Sequence, residues 1–372
     1  MALHIDYHLI QTVPPSNLNR DDTGSPKTAM YGGVRRARVS SQAWKKAART
    51  AFKDHLDASD LGVRTKRAVE LLADRILQRD ASLGDDGARA RAEAVVKALG
   101  IKTEPVKASK KVDDLPIDPY EKTSYLVFWS NRQMDRLADL ALRHEKPTSK
   151  AAKEAADMDH GIEVALFGRM VADAADLNVD ASAQVAHALS THGVEIEQDY
   201  FTAVDDENPE EESGAGMIGT VEFDSATLYR YATVNIEGLR ENLGGDDEAT
   251  LRAVEAFTRA FVTSMPTGKQ NTFANRTVPD AVLVTVRTDQ PVSLVGAFED
   301  AIEAAASHVR ASVEALVRQY RSVYSMIEDP AVVLVCRSTD AAAAVDELAL
   351  PVSLAELVTA TSAEVRNRLA SA

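Results

Sequence analysis

Apolar and polar residues alternate from His4 to Thr12, with Ile5, Tyr7 and Leu9 on one side. That is the pattern of a strand, and Pro14-Pro15 should end it. After Ser41 the period changes. Trp44, Ala48, Phe52 and Leu56 recur at helical spacing with Ala47 and Ala51 beside them, which predicts a helix over 41–56 that buries one face. Ser40 or Ser41 supplies its N-cap. Between these elements, residues 14–39 hold three prolines, three glycines and many polar groups, and read as a long loop. Helical periodicity recurs over 67–79, 88–99, 124–144, 149–156 and 162–175, interrupted by a loop at 102–119. Strand character returns at 194–204. The acidic run 205–212, Ser213-Gly214-Ala215-Gly216 and the segment 217–223 follow, so 194–223 predicts a protruding hairpin with an acidic tip. Strands are predicted at 228–236, 281–287 and 331–336, and helices at 246–262, 293–324 and 353–369.

This order predicts an α+β fold of the ferredoxin-like kind, with helices on one face of the sheet. Residues 1–60 and 225–372 make that core, 61–188 a large helical insertion and 189–224 the hairpin. A chain of 372 residues can bury a large core and hold two compact units. A single cysteine, Cys336, cannot form an internal disulfide. No apolar run approaches the ~20 residues that span a bilayer, and no secretory pattern opens the chain. A reducing cytoplasm is the expected setting, with no membrane partner.

Charge changes the picture. The chain carries a formal −15, which argues against indiscriminate nucleic-acid binding. Yet from Arg35 to Lys53 there are seven Lys or Arg residues (35, 36, 38, 45, 46, 49 and 53) and no acid. Lys45, Arg49 and Lys53 repeat at helical spacing about 100° around from the apolar face, and Lys46 widens the stripe. No acid stands four residues from Lys45, Lys46 or Arg49 to neutralise it. The preceding loop offers hydroxyls and amides from Ser16, Asn17, Asn19, Thr23, Ser25 and Thr28. Cations, hydroxyls and a helix N-terminus together point to an RNA or single-stranded DNA backbone.

Catalytic and metal templates fail. Pro26 breaks the phosphate-loop pattern of 23–28, and Gly268-Lys269-Gln270 lacks the hydroxyl residue after the lysine. His187 and His192 lie five apart, which is not helical ligand spacing. The nucleophile elbow Gly-x-Ser-x-Gly is absent. Asp21 and Asp22 are the best acidic pair, and capping a turn explains them more simply than holding a divalent ion. No cofactor, no metal and no catalysis are expected.

Five segments carry a family resemblance: 16–49, 161–170, 183–206, 228–245 and 266–275. They resemble, in collinear order, the CasC family, the backbone of the type I-E CRISPR Cascade surveillance complex. The resemblance implies an RRM-like palm, a helical fingers domain at 61–188 and a thumb hairpin at 189–224. It implies copies stacked head to tail along one CRISPR RNA (crRNA), beside the large, small, crRNA 5′-end and crRNA-processing subunits. The guide is presented for pairing with target DNA. It further implies that Arg20, Lys27, Lys45, Lys46 and Arg49 meet phosphates, and that Asn19, Ser40 and Gln42 add polar contacts. Arg169-Met170 would wedge beside the RNA, Tyr200-Phe201-Thr202 would lean on a displaced nucleotide, and Lys269-Gln270-Asn271 would form a second clamp. Related type III complexes keep an alternative open, in which a loop aspartate, Asp21 or Asp22, cleaves RNA.

Overall fold

The computed structural model describes residues 3–105, 119–157, 160–171, 174–203, 217–304 and 306–371. The chain forms two compact units. The first comprises Met1–Ala51, Gln184–Asn235 and Val254–Ala372, and the second Phe52–Ala183 and Ile236–Ala253. The architecture is α+β, with a large antiparallel sheet.

In the first unit the elements are β1 (His4–Ser16), β2 (Thr28–Tyr31), β3 (Val34–Val39), α1 (Ser41–Ala51), β4 (Ala188–Ser190), β5 (Glu197–Ala203) and β6 (Met217–Asn235). They are followed by α2 (Asp247–Thr263, from Val254 onward), α3 (Gln270–Phe273), β7 (Ala281–Arg287), α4 (His308–Tyr324), β8 (Val332–Arg337) and α5 (Leu354–Ala370). Strand order is β8-β7-β1-β6-β4-β3-β2, antiparallel between neighbours. The inner part of β6 pairs with β1 from Asn235 to Asp224. Its outer part leaves the sheet and pairs with β5, Phe201 opposite Gly219.

β1 is buried on both sides because helices cover both faces of the sheet. Tyr7 points to α2, where its hydroxyl meets Thr258 Oγ1 at 2.8 Å and its ring meets Phe257 and Phe261. Ile10, on the opposite face, packs with Leu283, Val313 and Leu316 of β7 and α4. The expectation of helices on one face is therefore corrected.

Four local expectations also change. β1 does not end at the prolines. It continues to Ser16 through a register shift between Val13 and Ser16, the kind of irregularity that tolerates residues without an N–H. The 14–39 loop contains the β2–β3 hairpin, turned by Gly32 and Gly33 at φ +57° and +75°, a geometry glycine adopts without a Cβ penalty. The helix predicted over 293–324 begins only at His308, where the Ser307 hydroxyl accepts the Arg310 N–H. The one predicted over 162–175 stops at Phe167, before Gly168 at φ +77°.

The second unit is mainly helical: Ala68–Arg79, Gly84–Ala98, Asn131–Arg143, Ser149–Ala156 and Ile162–Phe167. Leu72, Ile76, Val95, Val96, Met134 and Leu137 form its core. Ser130 and Gln133 make a reciprocal capping box at the start of the 131–143 helix. Arg79 binds Asp135 at 2.7 Å and Asp139 at 3.0 Å across two of these helices. Among the described residues no helix is long and apolar enough to cross a membrane.

Candidate nucleic-acid interface

The start of α1 is fastened from three directions. The Ser40 hydroxyl accepts the Ala43 N–H at 3.3 Å, the Ser40 N–H donates to Asn19 Oδ1 at 2.9 Å, and the Ser41 N–H donates to His187 Nδ1 at 3.2 Å. Ser40 and Asn19, both predicted RNA contacts, thus spend polar groups on the helix start, and Ser40 is buried. Trp44 anchors the inner face of α1. The buried Arg230 guanidinium lies 3.7 Å from the centre of its ring and donates to Gln11 Oε1 at 2.6 Å and to the Phe261 carbonyl. Burial pushes Arg230 down to about 9. The outer face of α1 shows Gln42 and Lys46 exposed, with Lys45 and Arg49 half-buried. Burial lowers the Lys45 ammonium.

Of the seven cations, Arg36 and Arg38 are spent on backbone carbonyls of the protein itself. Arg36 is fully buried. Its guanidinium donates to the carbonyls of Ser190, Thr191, Phe298 and Glu299 at 2.8–3.1 Å, binding β3 to β4 and the 295–298 turn. Arg38 Nε donates to the Thr28 carbonyl. Lys53 belongs to the second unit.

The 17–27 segment is a closed loop rather than an open coil. Arg20 and Pro26 bridge it, the Asp21 N–H donates to Ser25 O, and the Lys27 N–H donates to Asn19 O. Asp21 Oδ1 accepts from the Thr23 N–H, the Thr23 hydroxyl and the Ser25 N–H at 2.7–3.0 Å, which holds its carboxyl below the usual range. Arg20 and Asp22 are exposed, and Lys27 is half-buried. His187 is lowered by burial first, then by the charges of Arg38 and Lys27.

Two features that the sequence reading missed position the remaining groups. A Cβ at Gly268 would lie 2.2 Å from the Leu18 carbonyl oxygen, so only glycine lets the 266–275 loop dock on the end of β1. That docking sets Lys269, Gln270 and Asn271 beside the 17–27 loop. Lys269 and Ala274, which flank the single turn of α3, both have left-handed backbones, φ +49° and +47°. A Cβ at Gly219 would lie 2.4 Å from Phe201 Cζ, so the Phe201 ring lies across Gly219 on the hairpin. Tyr200 and Ile218 remain 63% and 60% exposed. Tyr200, Thr202, Ile218 and Thr220 share a hairpin face by register. Glycines inside a strand and a loop were the available signals. The predicted acidic tip 205–212 lies outside the described residues.

The expectation that Arg169 joins Met170 in a wedge beside the RNA is corrected. It is buried and donates to the Leu177 carbonyl at 2.8 Å and to Gln133 Oε1 at 3.4 Å, and burial pushes it down to about 10. It braces the second unit from within. Met170, next to it, is 81% exposed. Among the described residues no group of three or more His, Cys, Asp or Glu gathers as metal ligands.

One unit thus carries a two-sided α+β sheet, a cationic helix, a closed polar loop and an aromatic hairpin. The chain belongs to the CT1975-like protein family, which matches residues 5–360. It is similar over 97% of its length to all of a chain in a structure described as a CRISPR RNA-guided surveillance complex, pre-nicking, at 35% identity and a TM-score of 0.82. A chain from a second CRISPR RNA-guided surveillance complex matches at 31% identity and a TM-score of 0.72, covering 97% of this chain and 99% of that one. No curated protein matches.

Proposed function

We propose that this chain is a non-catalytic, crRNA-binding backbone subunit of a type I-E CRISPR Cascade. The observation that carries the reading is the end-to-end, 35%-identical likeness to a chain of an RNA-guided surveillance complex. The first unit adds a surface suited to ribose-phosphate. Here it acts as an RRM-like palm, with the β5–β6 hairpin as thumb and the second unit as fingers. Arg20, Lys27, Lys45, Lys46 and Arg49 neutralise phosphates, Gln42, Gln270 and Asn271 add polar contacts, and Tyr200 supplies an aromatic surface. Copies stack along one guide in the cytoplasm, beside the other Cascade subunits, and leave base edges free to pair with target DNA.

The competing reading is an RNA-cleaving subunit that uses Asp21 or Asp22. Against it stands the engagement of Asp21 Oδ1 by three donors of its own loop. One preparation tests both. Expressed with its guide, the protein should copurify with RNA and leave complementary RNA intact in magnesium. Mg²⁺-dependent cleavage that Asp21→Ala or Asp22→Ala abolishes would establish the cleaving subunit instead.

A further inference from the structure

Asp224 is an anomaly of the first unit, an acid buried without a countercharge among the described residues. It lies on β6 directly opposite Ser16, the last residue of β1, just past the register shift. Residues opposite one another share a sheet face, as do alternate residues of one strand. Asp224 therefore sits on the side of Ala226 and Leu228, which pack with Val13, Leu18 and Trp44 of α1. It is 9% exposed and, among the described residues, has neither a hydrogen bond nor an ion pair. Burial alone displaces its carboxyl upward, with no cation close enough to offset it. The Ser16 hydroxyl across from it, 1% exposed, also lacks a partner. The next residue, Asn17, gives its amide hydrogens to the carbonyls of Gly24 and Glu222, which leaves Oδ1 without a donor. The end of β1 thus gathers unpartnered polar groups, with the Asp224 carboxylate and Asn17 Oδ1 both in want of a donor.

A desolvated carboxylate without a partner destabilises the fold, so a ligand seated against it would have to supply hydrogen-bond donors. A phosphate is repelled by like charge. A base edge would make binding depend on sequence. A ribose hydroxyl is a donor present on every ribonucleotide, and it separates RNA from DNA. We propose that Asp224, backed by Ser16, accepts a hydrogen bond from a ribose 2′-hydroxyl and makes this surface select RNA over DNA. The inference rests on the RNA-binding reading above and adds to it the group that reads the sugar.

The test compares one single-stranded sequence as RNA, as its 2′-fluoro form and as DNA. Fluorescence anisotropy measures binding to the wild-type protein and to Asp224→Ala and Asp224→Asn. The 2′-fluoro sugar keeps an RNA-like pucker but cannot donate. The wild type should prefer RNA over 2′-fluoro RNA by about tenfold, the low end for a donor paired with a charged acceptor. Asp224→Ala should bind the two alike, at the affinity the wild type shows for the fluoro strand. Asp224→Asn, which conserves shape and one acceptor oxygen, should retain part of the preference and controls for folding. A preference that survives in Asp224→Ala overturns the proposal. So does one that vanishes when EDTA is added, which would assign the carboxylate to a divalent cation, with Glu222 two residues away on the same strand. Failure of the wild type to bind any of the three strands would overturn the RNA-binding reading itself, a result distinct from binding without sugar preference.

Discussion

Gly268→Ala separates the docking of the 266–275 loop from the charge it carries. The added Cβ would sit 2.2 Å from Leu18 O, 2.7 Å from Leu18 C and 2.8 Å from Asn17 O. All three are backbone atoms of the strand end and cannot rotate aside. A carbon and a carbonyl oxygen need roughly 3.3 Å even at weak hydrogen-bond contact, so the loop must retreat by about 1 Å. Overpacking of this kind costs about 1–3 kcal/mol of stability. The retreat also displaces Lys269, Gln270 and Asn271. Loss of one charge-assisted contact lowers affinity by about 1.5–3 kcal/mol, or about tenfold to a hundredfold. Thermal unfolding and anisotropy with single-stranded RNA read the two effects separately. Lys269→Ala on the undisturbed loop is the companion: it should lower RNA affinity while sparing the unfolding midpoint. If Gly268→Ala leaves both stability and RNA affinity unchanged, the loop does not dock as described and its residues do not belong to the interface.

Three further outcomes follow from individual contacts. Gly219→Ala should force the Phe201 ring off the hairpin and weaken RNA binding by an amount similar to Phe201→Ala, within the ~1–3 kcal/mol of a stacked base, as measured by anisotropy. Arg169→Ala should lower the unfolding midpoint, since it leaves buried neutral acceptors without their donor at a cost of about 1–3 kcal/mol. RNA affinity measured well below that midpoint should hold. Asp224→Asn should stabilise the free protein at pH 7 by at most about 3 kcal/mol, because burial pushes the wild-type carboxyl from 3.8 to about 6. The sign follows from proton uptake. The cost of the ionised group is full above pH 6, shrinks as the folded protein takes up its proton, and is gone below about pH 4. Denaturant melts of the two proteins should therefore converge in acid. A constant gap would assign the effect to packing instead of charge.

The fold was legible where one pattern dominated. The alternation of Ile5, Tyr7 and Leu9 and the apolar run 281–287 place central strands, and Trp44 with Ala48 places the inner face of α1. The β2–β3 hairpin was hidden because Val34–Val39 carries three arginines. A charge-rich strand imitates a loop until its partner strand is known. The same limit affected the site. Arg36 looked like any other cation in its run, yet four carbonyls from distant segments surround it. Arg169 was read beside Met170, and the break at Gly168 sends one side chain inward and the other outward. Burial of an arginine depends on acceptors brought from far along the chain, and local spacing does not encode them. Asp224 was silent for the opposite reason: its distinction is the absence of a partner, which only the packed structure reveals.

The central claim is that Lys45, Lys46 and Arg49 of α1 lie along ribose-phosphate. The salt dependence of RNA affinity measures it most directly. Each phosphate released from a single strand removes about 0.7 from the slope of log K against log salt. With all three residues changed to alanine, the slope should fall by about 2 and assembly on RNA should fail while the unfolding midpoint holds. An unchanged slope and affinity in that variant would contradict the account.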